Sequence, residues 1–293
     1  METLQNCPCC YASQFSHHLS CVDNTVSRQK FEVMACKNCG FLFTNPRPSA
    51  SEIGYYYQSE AYISHSNTQK GVLNTAYQLV RKITLRSKIK LIKKYQQQGF
   101  LLDIGCGTGE FLHIAQKNGY QTQGIEPDEN ARAMAIKNYA LQVAEPSYLA
   151  QIPEASAAII TMWHVLEHVH ELEPRIKTIH KLLQDGGIAV IAVPNPKSLD
   201  AQHYQQHWAG YDLPRHLYHF EPQLLRQMFE KQGLKSLETK IMPFDGFYVS
   251  LLSQKYKNGT TNYPKAIWIG LLSLLHAMQN KDTGSSQIYI FRK

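Results

Sequence analysis

An apolar run, Phe100 to Ile104, ends in three alternate glycines, Gly105, Gly107 and Gly109, and a helical pattern begins at Glu110. Glycines at this spacing are needed where the backbone takes positive φ values or where a ligand contacts the backbone directly. The segment predicts a strand, a tight loop and a helix beside a ligand. A dinucleotide fingerprint would require glycine at position 110, and a phosphate loop would require Gly-Lys followed by Ser or Thr, so neither class fits.

Strand and helix patterns alternate along the chain around this loop. Short apolar runs predict strands at residues 100–104, 121–125, 141–144, 157–163, 187–193, 236–242 and 286–292. Amphipathic or apolar patterns predict helices at residues 110–117, 128–139, 166–183 (interrupted near Pro174), 222–232 and 264–278. Alternation at this spacing favours a parallel sheet with helices on both faces. We therefore predict an α/β fold, with a doubly wound, Rossmann-like and mostly parallel seven-stranded sheet.

Acidic residues mark the ends of the first two of these strands. Asp103 precedes the glycine loop, Glu110 follows it, and Glu126 ends the next strand. Negative charge here disfavours an anionic pyrophosphate and suits a ligand with a cationic part, while a carboxylate at Glu126 can accept two hydrogen bonds from ribose hydroxyls. The expected ligand is a positively charged ribonucleoside without phosphate, and S-adenosylmethionine fits that description.

The chain resembles the class I S-adenosylmethionine-dependent methyltransferases. The resemblance rests on the glycine loop and Glu126 and continues through residues 163–168 (Trp-His-Val-Leu-Glu-His), residues 182–187 and Val193-Pro194-Asn195, so that it covers residues 99–195. It implies that Asp103 and the glycines flank the methionine part of the cofactor. It also implies that Glu126 holds the ribose.

The same resemblance assigns further residues to the cofactor. It implies that residues near Glu145 lie by the adenine and that Trp163 and His164 line the sulfonium side. The predicted cofactor-binding set is Asp103, Gly105, Cys106, Gly107, Gly109, Glu126, Pro127, Glu145, Trp163 and His164.

A loop rich in aromatic residues and histidine follows the predicted core. Its end, residues 214–220 (Pro-Arg-His-Leu-Tyr-His-Phe), resembles a segment of bacterial methyltransferases that act on small metabolites, sugars and quinone-type rings. The implied activity is methyl transfer to a small-molecule or amphipathic acceptor, such as a sugar, a lipid or a quinone-like ring. Histidine suits a base that removes a proton from such an acceptor. The candidates are His216 first, then His168 and His164.

Residues 164–168 also spell His-x-x-Glu-His, a pattern found in zinc proteases. On a helix, positions i and i+4 share a face and could bind one metal ion. His164 is expected at a strand end, and the sequence offers no clear third carboxylate ligand. A protease is therefore not favoured, and packing of His168 under the sheet stays open as an alternative.

Two cysteine pairs lie near the start of the chain. Cys7 and Cys10 are separated by 25 residues from Cys36 and Cys39, and each pair has the C-x2-C spacing. Four thiolates converging from two turns satisfy tetrahedral zinc and leave no open position, so we predict a structural zinc site. Cys9 and Cys21 could substitute for one of the four. The segment and the Asn-Pro-Arg-Pro that follows it resemble the zinc ribbon of some sugar and metabolite methyltransferases.

The net charge of +7 is unevenly distributed. Residues 70–98, which begin with Lys70, carry +8 and predict a basic amphipathic helix from residue 72 to residue 92, whereas residues 99–230 carry −6 and residues 231–293 carry +6. The basic helix contains few aromatic residues that could stack on bases, so nucleic acid is not a favoured partner. The apolar helix at 264–278 is too short to span a membrane; burial, as a lid, is favoured over contact with a membrane surface.

These features divide the chain into four parts: a zinc-ribbon-like segment (1–45), a linker with the basic helix (46–98), the cofactor-binding core (99–195) and a C-terminal part with the acceptor loop, a lid helix and the last strands (196–293). The first eight residues show no secretory signal, which favours a cytoplasmic location, with peripheral contact at the inner membrane face left open. An RNA methyltransferase and a non-catalytic module that binds S-adenosylmethionine stay open as alternatives. The oligomeric state is not predicted.

Overall fold

The computed structural model describes residues 1–58 and 72–293; part of the predicted linker, with Lys70, lies outside the described residues. The strands form two sheets. In chain order they are β1 (Phe15–Val22), β2 (Lys30–Cys36), β3 (Leu42–Thr44), β4 (Phe100–Ile104), β5 (Gln121–Ile125), β6 (Val143–Ala144), β7 (Ala157–Trp163), β8 (Leu183–Pro194), β9 (Tyr218–His219), β10 (Lys235–Ile241) and β11 (Ser286–Arg292).

The central sheet has seven strands in the order β10-β11-β8-β7-β4-β5-β6. The five strands β8, β7, β4, β5 and β6 are parallel to one another. Strand β11 pairs antiparallel with both β8 and β10. The prediction of a mostly parallel seven-stranded sheet is therefore confirmed. Because parallel strands end at the same edge, the residues that follow β4, β5 and β7 converge on one side of the sheet.

The helices of the described residues are α1 (Val72–Lys93), α2 (Glu110–Lys117), α3 (Glu129–Tyr139), α4 (Leu172–Leu182), α5 (Leu199–Tyr204), α6 (Pro222–Glu230), α7 (Asp245–Asn258) and α8 (Tyr263–Gln279). The predicted helix at 166–183 is instead a 3-10 turn, Leu166–His168, followed by α4. Pro174 lies in the first turn of α4, where its missing N–H costs no hydrogen bond. Helix α7 is not among the predicted helices.

Helices pack on both faces of the central sheet. On one face, Leu102, Ile160 and Ile191 pack with the buried side of α4. On the other, Leu101 and Ile159 pack with residues of α1 and α2. Alternate residues of the same strands thus bury in opposite layers, which defines a doubly wound sheet.

The second sheet has the order β1-β2-β3-β9 and is antiparallel throughout. Its last strand comes from the histidine-rich loop, since Leu42 pairs with His219 and Phe43 with Tyr218. The rings of Phe41, Phe43, Tyr218 and Phe220 are buried together. The cysteine-rich segment is therefore joined to the loop through both main-chain pairing and a shared aromatic cluster.

The apolar helix α8 buries its smaller residues, including Ala266, Gly270, Ser273 and Ala277. Five of its larger apolar side chains are exposed, whereas Ile269 is buried; the exposed ones are Ile267, Trp268, Leu271, Leu275 and Met278. The expected burial therefore applies to only one face of this helix, the one that packs against α7, and the opposite apolar face is exposed. None of the helices in the described ranges is both long and apolar enough to cross a membrane.

Candidate functional site

The glycine loop turns between β4 and α2 with φ values of +75° at Gly105, +55° at Gly107 and +84° at Gly109. These angles lie in the left-handed region that favours glycine. A Cβ at Gly105 would lie 2.3 Å from Val165 Cγ2, whereas one at Gly107 would meet no atom within 4 Å. The loop is tight against the protein at Gly105 and open at Gly107, so a ligand can approach the main chain there.

Asp103 lies at the end of β4 and is 1% exposed. Its Oδ1 accepts a hydrogen bond of 2.5 Å from Thr161 Oγ1 on the neighbouring strand β7. Burial raises the pKa of Asp103 to about 7, against the opposing effects of Thr161 and the charge of Lys88. A carboxyl with this pKa gains a full negative charge most easily when a cationic ligand compensates it.

Glu126 lies at the end of β5, and its carboxylate connects two turns. Its Oε2 accepts a hydrogen bond of 2.8 Å from Gly107 N, and its Oε1 accepts one of 3.0 Å from Asp128 N. Burial raises the pKa of Glu126, while these main-chain donors act in the opposite direction. The carboxylate is thus positioned beside the open part of the glycine loop.

The other predicted cofactor residues surround this loop. Cys106 lies within it, half-buried, and its Sγ occupies the space that a side chain at Gly124 would need. Pro127 and Glu145 are exposed at the ends of β5 and β6, and Glu145 accepts a hydrogen bond from Ser147. The contacts of Pro127 and Glu145 do not by themselves indicate a bound ligand.

Trp163 closes β7 and packs edge-on against Phe111. The ammonium group of Lys88, on α1, lies 4.0 Å from the centroid of the Trp163 ring. Burial lowers the pKa of Lys88 to about 8, although the charges of Asp103 and Asp245 oppose this shift. Lys88 is not among the predicted site residues, because it is one of many basic residues on a helix whose pattern indicates a solvent-facing surface.

His164 follows β7 with a φ of +57° and lies between two carboxylates. Its Nε2 is 3.2 Å from Asp245 Oδ2, and its Nδ1 is 3.5 Å from Glu167 Oε1. Burial lowers the pKa of His164, but the two carboxylates outweigh it and raise the pKa to about 9. An imidazolium cannot accept a proton, so this environment suits His164 poorly for the role of a base. Asp245 belongs to α7 and was also missed.

His168 and His216 form the second part of this region, with ring centroids 4.6 Å apart. His168 Nδ1 is 3.0 Å from the carbonyl oxygen of Arg215, and His216 Nδ1 is 2.9 Å from that of Gly210. A carbonyl only accepts, so each Nδ1 donates to its carbonyl oxygen. His168 Nδ1 also lies 2.9 Å from Tyr57 Oη, and His216 Nε2 lies 3.8 Å from Asp212 Oδ2. Burial and the charge of His216 lower the pKa of His168 to about 4, so His168 is neutral near pH 7.

The His-x-x-Glu-His segment does not form one helical face. His164 lies just beyond β7, and Leu166–His168 is a 3-10 turn. The residues that come together as possible metal ligands are Glu167, His168 and His216, without His164. The geometry of a zinc-protease helix is therefore absent from this segment.

The four cysteines of the paired motifs, Cys7, Cys10, Cys36 and Cys39, come together at one end of the small sheet, with all four sulfurs within 4.8 Å of one another. The Sγ atoms of Cys7 and Cys39 are 3.7 Å apart, and those of Cys10 and Cys36 are 3.5 Å apart. Tetrahedral zinc with Zn–S bonds of about 2.3 Å requires sulfurs about 3.8 Å apart, so these residues fit the ion. Cys21 lies in a different apolar cluster.

A cavity of about 380 Å³ lies between α1 and the segment that joins β10 to α7. Its lining combines apolar side chains with cations and one carboxylate, including Leu91, Met242, Phe244, Lys88 and Asp245. Because Asp245 also contacts His164, the cavity wall reaches the end of β7.

The sequence is similar to a known protein family and to individual known proteins. A family model described as a methyltransferase domain matches residues 76–239, which is more than half of the chain. The ubiquinone biosynthesis O-methyltransferase of Rhizobium rhizogenes is 30% identical over 101 residues, 32% of this chain and 41% of that protein. A protein of Geobacillus sp. (strain WCH70), named as a methyltransferase without a substrate, is 29% identical over 123 residues, 38% of this chain and 49% of its own length. The match thus spans about half of these curated relatives or less.

The fold has a counterpart among solved structures. A SAM-dependent methyltransferase from Archaeoglobus fulgidus superposes with a TM-score of 0.51 at 19% identity, over 73% of this chain and 94% of that chain. The chain belongs to the methyltransferase-domain family, and its fold is that of the class I S-adenosylmethionine-dependent methyltransferases.

Proposed function

We propose that this protein transfers the methyl group of S-adenosylmethionine to a small-molecule or amphipathic acceptor. The observation that carries the proposal is the pair of buried carboxylates, Asp103 and Glu126, on either side of an open glycine loop. Two buried acids without a phosphate-binding motif suit a cationic nucleoside, and family membership points to the same cofactor.

Each cofactor residue has a role in this proposal. Asp103 faces the ammonium and sulfonium charges, and Gly105, Cys106, Gly107 and Gly109 form the loop around the methionine part. Glu126 and Pro127 hold the ribose, Glu145 lies by the adenine, and Trp163 and His164 line the sulfonium side. Lys88 adds a cation above Trp163 that suits the carboxylate of the methionine part.

The proposed acceptor site is the cavity between α1 and α7. Its apolar lining beside Lys240 suits an acceptor with a ring or chain and an anionic or hydroxylated end. The exposed apolar face of α8 lies next to Lys265 and supports peripheral contact with an anionic membrane surface, where an amphipathic acceptor would be found. The name of the Rhizobium relative also gives an O-methyltransferase.

Methyl transfer is an in-line displacement, and the main task of the protein is alignment of acceptor and sulfonium. A hydroxyl acceptor must also lose its proton. We propose that the histidine pair assists this loss, with His216 as the first candidate and His168 as the second. His164, held as a cation between Asp245 and Glu167, positions this pair by fixing the Glu167 carboxylate.

We also propose that Cys7, Cys10, Cys36 and Cys39 bind a structural zinc ion. The support is the distance between their sulfurs and the donors that surround them: Cys9 N points to Cys7 Sγ at 3.4 Å, and Asn38 Nδ2 to Cys10 Sγ at 3.5 Å. Such donors stabilise thiolates in metal sites. When bound, zinc would crosslink the two turns and hold the small sheet in shape.

The test uses S-adenosylmethionine labelled in its methyl group, the full chain, and a cell extract that is separated into lipid, polar and RNA fractions. We expect the label in the lipid or polar fraction and none with Asp103→Ala. Label in RNA alone would replace the proposal with an RNA methyltransferase. Tight cofactor binding without transfer to any fraction would indicate a non-catalytic binding module.

The proposed membrane contact is tested by flotation with anionic vesicles. We expect the wild-type protein to float with the vesicles and Trp268→Ser to stay in the unbound fraction. Wild-type protein that stays in the unbound fraction would contradict the proposal.

A further inference from the structure

A second cluster of metal-ligand residues lies at the end of β7, away from the cysteines. Glu167 comes from the 3-10 turn, His168 follows it directly, and His216 reaches the same point from the histidine-rich loop. One potential ligand atom from each residue lies within 4.8 Å of the other two. The histidines that the sequence analysis considered as bases are thus adjacent to a carboxylate.

The carboxylate of Glu167 is the unusual member of this cluster. The residue is 0% exposed, and neither of its side-chain oxygens has a hydrogen-bond partner. Its nearest cationic atom is His164 Nδ1 at 3.5 Å, which is an ion-pair distance. The His164 imidazolium compensates the charge of this buried carboxylate, but the hydrogen-bonding capacity of both its oxygens stays unused. The main chain of Glu167 is fixed by a hydrogen bond of 2.7 Å from Leu217 N to its carbonyl oxygen.

The two histidines are oriented as metal ligands usually are. In metal sites, the ring nitrogen that does not bind the metal donates its proton to a carbonyl or carboxylate, which fixes the ring and its tautomer. His168 Nδ1 and His216 Nδ1 both contact main-chain carbonyl oxygens, at 3.0 Å and 2.9 Å. With Nδ1 as the donor, Nε2 is the nitrogen of each ring that can bind a metal ion.

We infer that Glu167, His168 and His216 bind a divalent transition-metal ion such as zinc. Two imidazole nitrogens and one carboxylate oxygen are a donor set that such ions prefer, and three protein ligands leave a coordination position open. Around zinc the donor atoms would be about 3.4 Å apart, so binding requires shifts of only about 1 Å.

The open position would give the site a role in the proposed function. The cluster connects to the cavity through Glu167, His164 and Asp245. An acceptor hydroxyl that reaches the metal would lose its proton more readily, because a divalent cation lowers the pKa of a bound oxygen acid. With a metal bound, His168 and His216 would assist proton loss as its ligands and not as free bases. This role rests on the proposed function, whereas metal binding by the three residues does not.

The test separates the two metal sites of the full chain by their spectra. Protein freed of metal is titrated with Co²⁺ alone. Cobalt bound by the cysteines gives thiolate-to-metal charge-transfer absorption, whereas cobalt bound by nitrogen and oxygen gives only weaker visible bands. The charge-transfer absorption gives the amount of cobalt that the cysteines bind. We expect the total bound cobalt to be one ion per chain higher than this amount. Glu167→Gln and His216→Gln should each lose this ion and keep the thiolate bands. His203→Gln, an exposed histidine of the same loop, should keep both.

Wild-type protein whose bound cobalt is fully accounted for by thiolate absorption would overturn the inference, whatever the variants do. Retention of the additional ion by both variants would also overturn it. Circular dichroism identifies a variant that fails to fold, and His168→Gln then replaces it. Because metal binding is measured without acceptor or cofactor, absence of methyl transfer and absence of the metal site are distinguishable results.

Discussion

The two sheets of this protein are stabilised in different ways. The central sheet is buried on both faces, with separate apolar layers under α4 and under α1 and α2. The small sheet has exposed positions along β1 and depends on its contacts at the ends: the cysteine turns, and β9 from the other half of the chain. The central sheet is stabilised by the large apolar area that it buries, and the small sheet by a few specific groups. Single substitutions should therefore affect the small sheet more, and the predictions below test this difference.

The largest effect is expected at the cysteine site. Cys36→Ser removes one of four converging thiolates, and loss of a structural zinc site costs several kcal/mol because metal binding and folding are linked. We expect a separate, earlier thermal transition of the small sheet, measured by calorimetry, and loss of bound zinc. Cys9→Ser changes a half-buried cysteine of the same turn that lies outside the group of four, and should change neither. Equal behaviour of the two variants would show that the sheet does not depend on metal.

The next effect is expected at Arg47, which is 5% exposed and connects the small sheet to the rest of the protein. Its guanidinium donates to Tyr218 Oη at 2.9 Å and to the carbonyl oxygen of His170 at 3.3 Å. Arg47→Met keeps much of the side-chain volume but removes these bonds, so we expect a loss of about 2 kcal/mol in the free energy of unfolding. Denaturant unfolding measures it, with exposed Arg28→Met as the control. A loss below about 0.5 kcal/mol would mean that apolar packing alone holds this boundary.

The smallest effect concerns the central sheet and its pH dependence. Burial raises the pKa of Asp103 to about 7. The carboxylate form attracts the cationic cofactor, so affinity for S-adenosylmethionine should be full at about pH 8 and fall as the pH drops through about 7. Thr161→Val removes the hydrogen bond that favours the carboxylate, so the midpoint should move to higher pH.

Calorimetric titration at several pH values measures this shift. Thr122→Val is the matched control, because the buried hydroxyl of Thr122 on β5 has no hydrogen-bond partner. We expect its affinity profile to follow that of the wild type. A Thr161→Val profile that coincides with the control would show that Asp103 does not govern the pH dependence.

The central sheet was predictable because its signals are local. Strand periodicity, the glycine loop and the acid at Glu126 all lie within short segments, and the observed strands reproduce the predicted ones within a few residues. The cysteine group was predictable for the same reason, since each pair is one turn. The cluster of Glu167, His168 and His216 differs, because its members are distant in sequence. No spacing rule connects residue 168 to residue 216, and only the docking of a loop brings them together.

The misses have physical causes as well. Helix α7 has no clear apolar face in its sequence, because small and polar residues such as Ser250 and Ser253 are the ones it buries. Lys88 looked like one of many solvated cations, although its position over Trp163 depends on how α1 packs. The exposed apolar face of α8 could not be foreseen, because the pattern of the helix shows which residues are apolar but not which side meets α7.

The pairing of β3 with β9 has a consequence for biosynthesis. Thr44 Oγ1 donates to the carbonyl oxygen of His216, 172 positions later in the chain, and the main chains of the two segments pair beside it. A ribosome delivers residues in order, so β1, β2 and β3 emerge long before their fourth strand. By the time residues 218–219 appear, β4 to β8 have already emerged. The sheet begun by β1, β2 and β3 is therefore completed only after most of the central sheet has emerged, and the open edge of β3 stays available for other contacts during that interval.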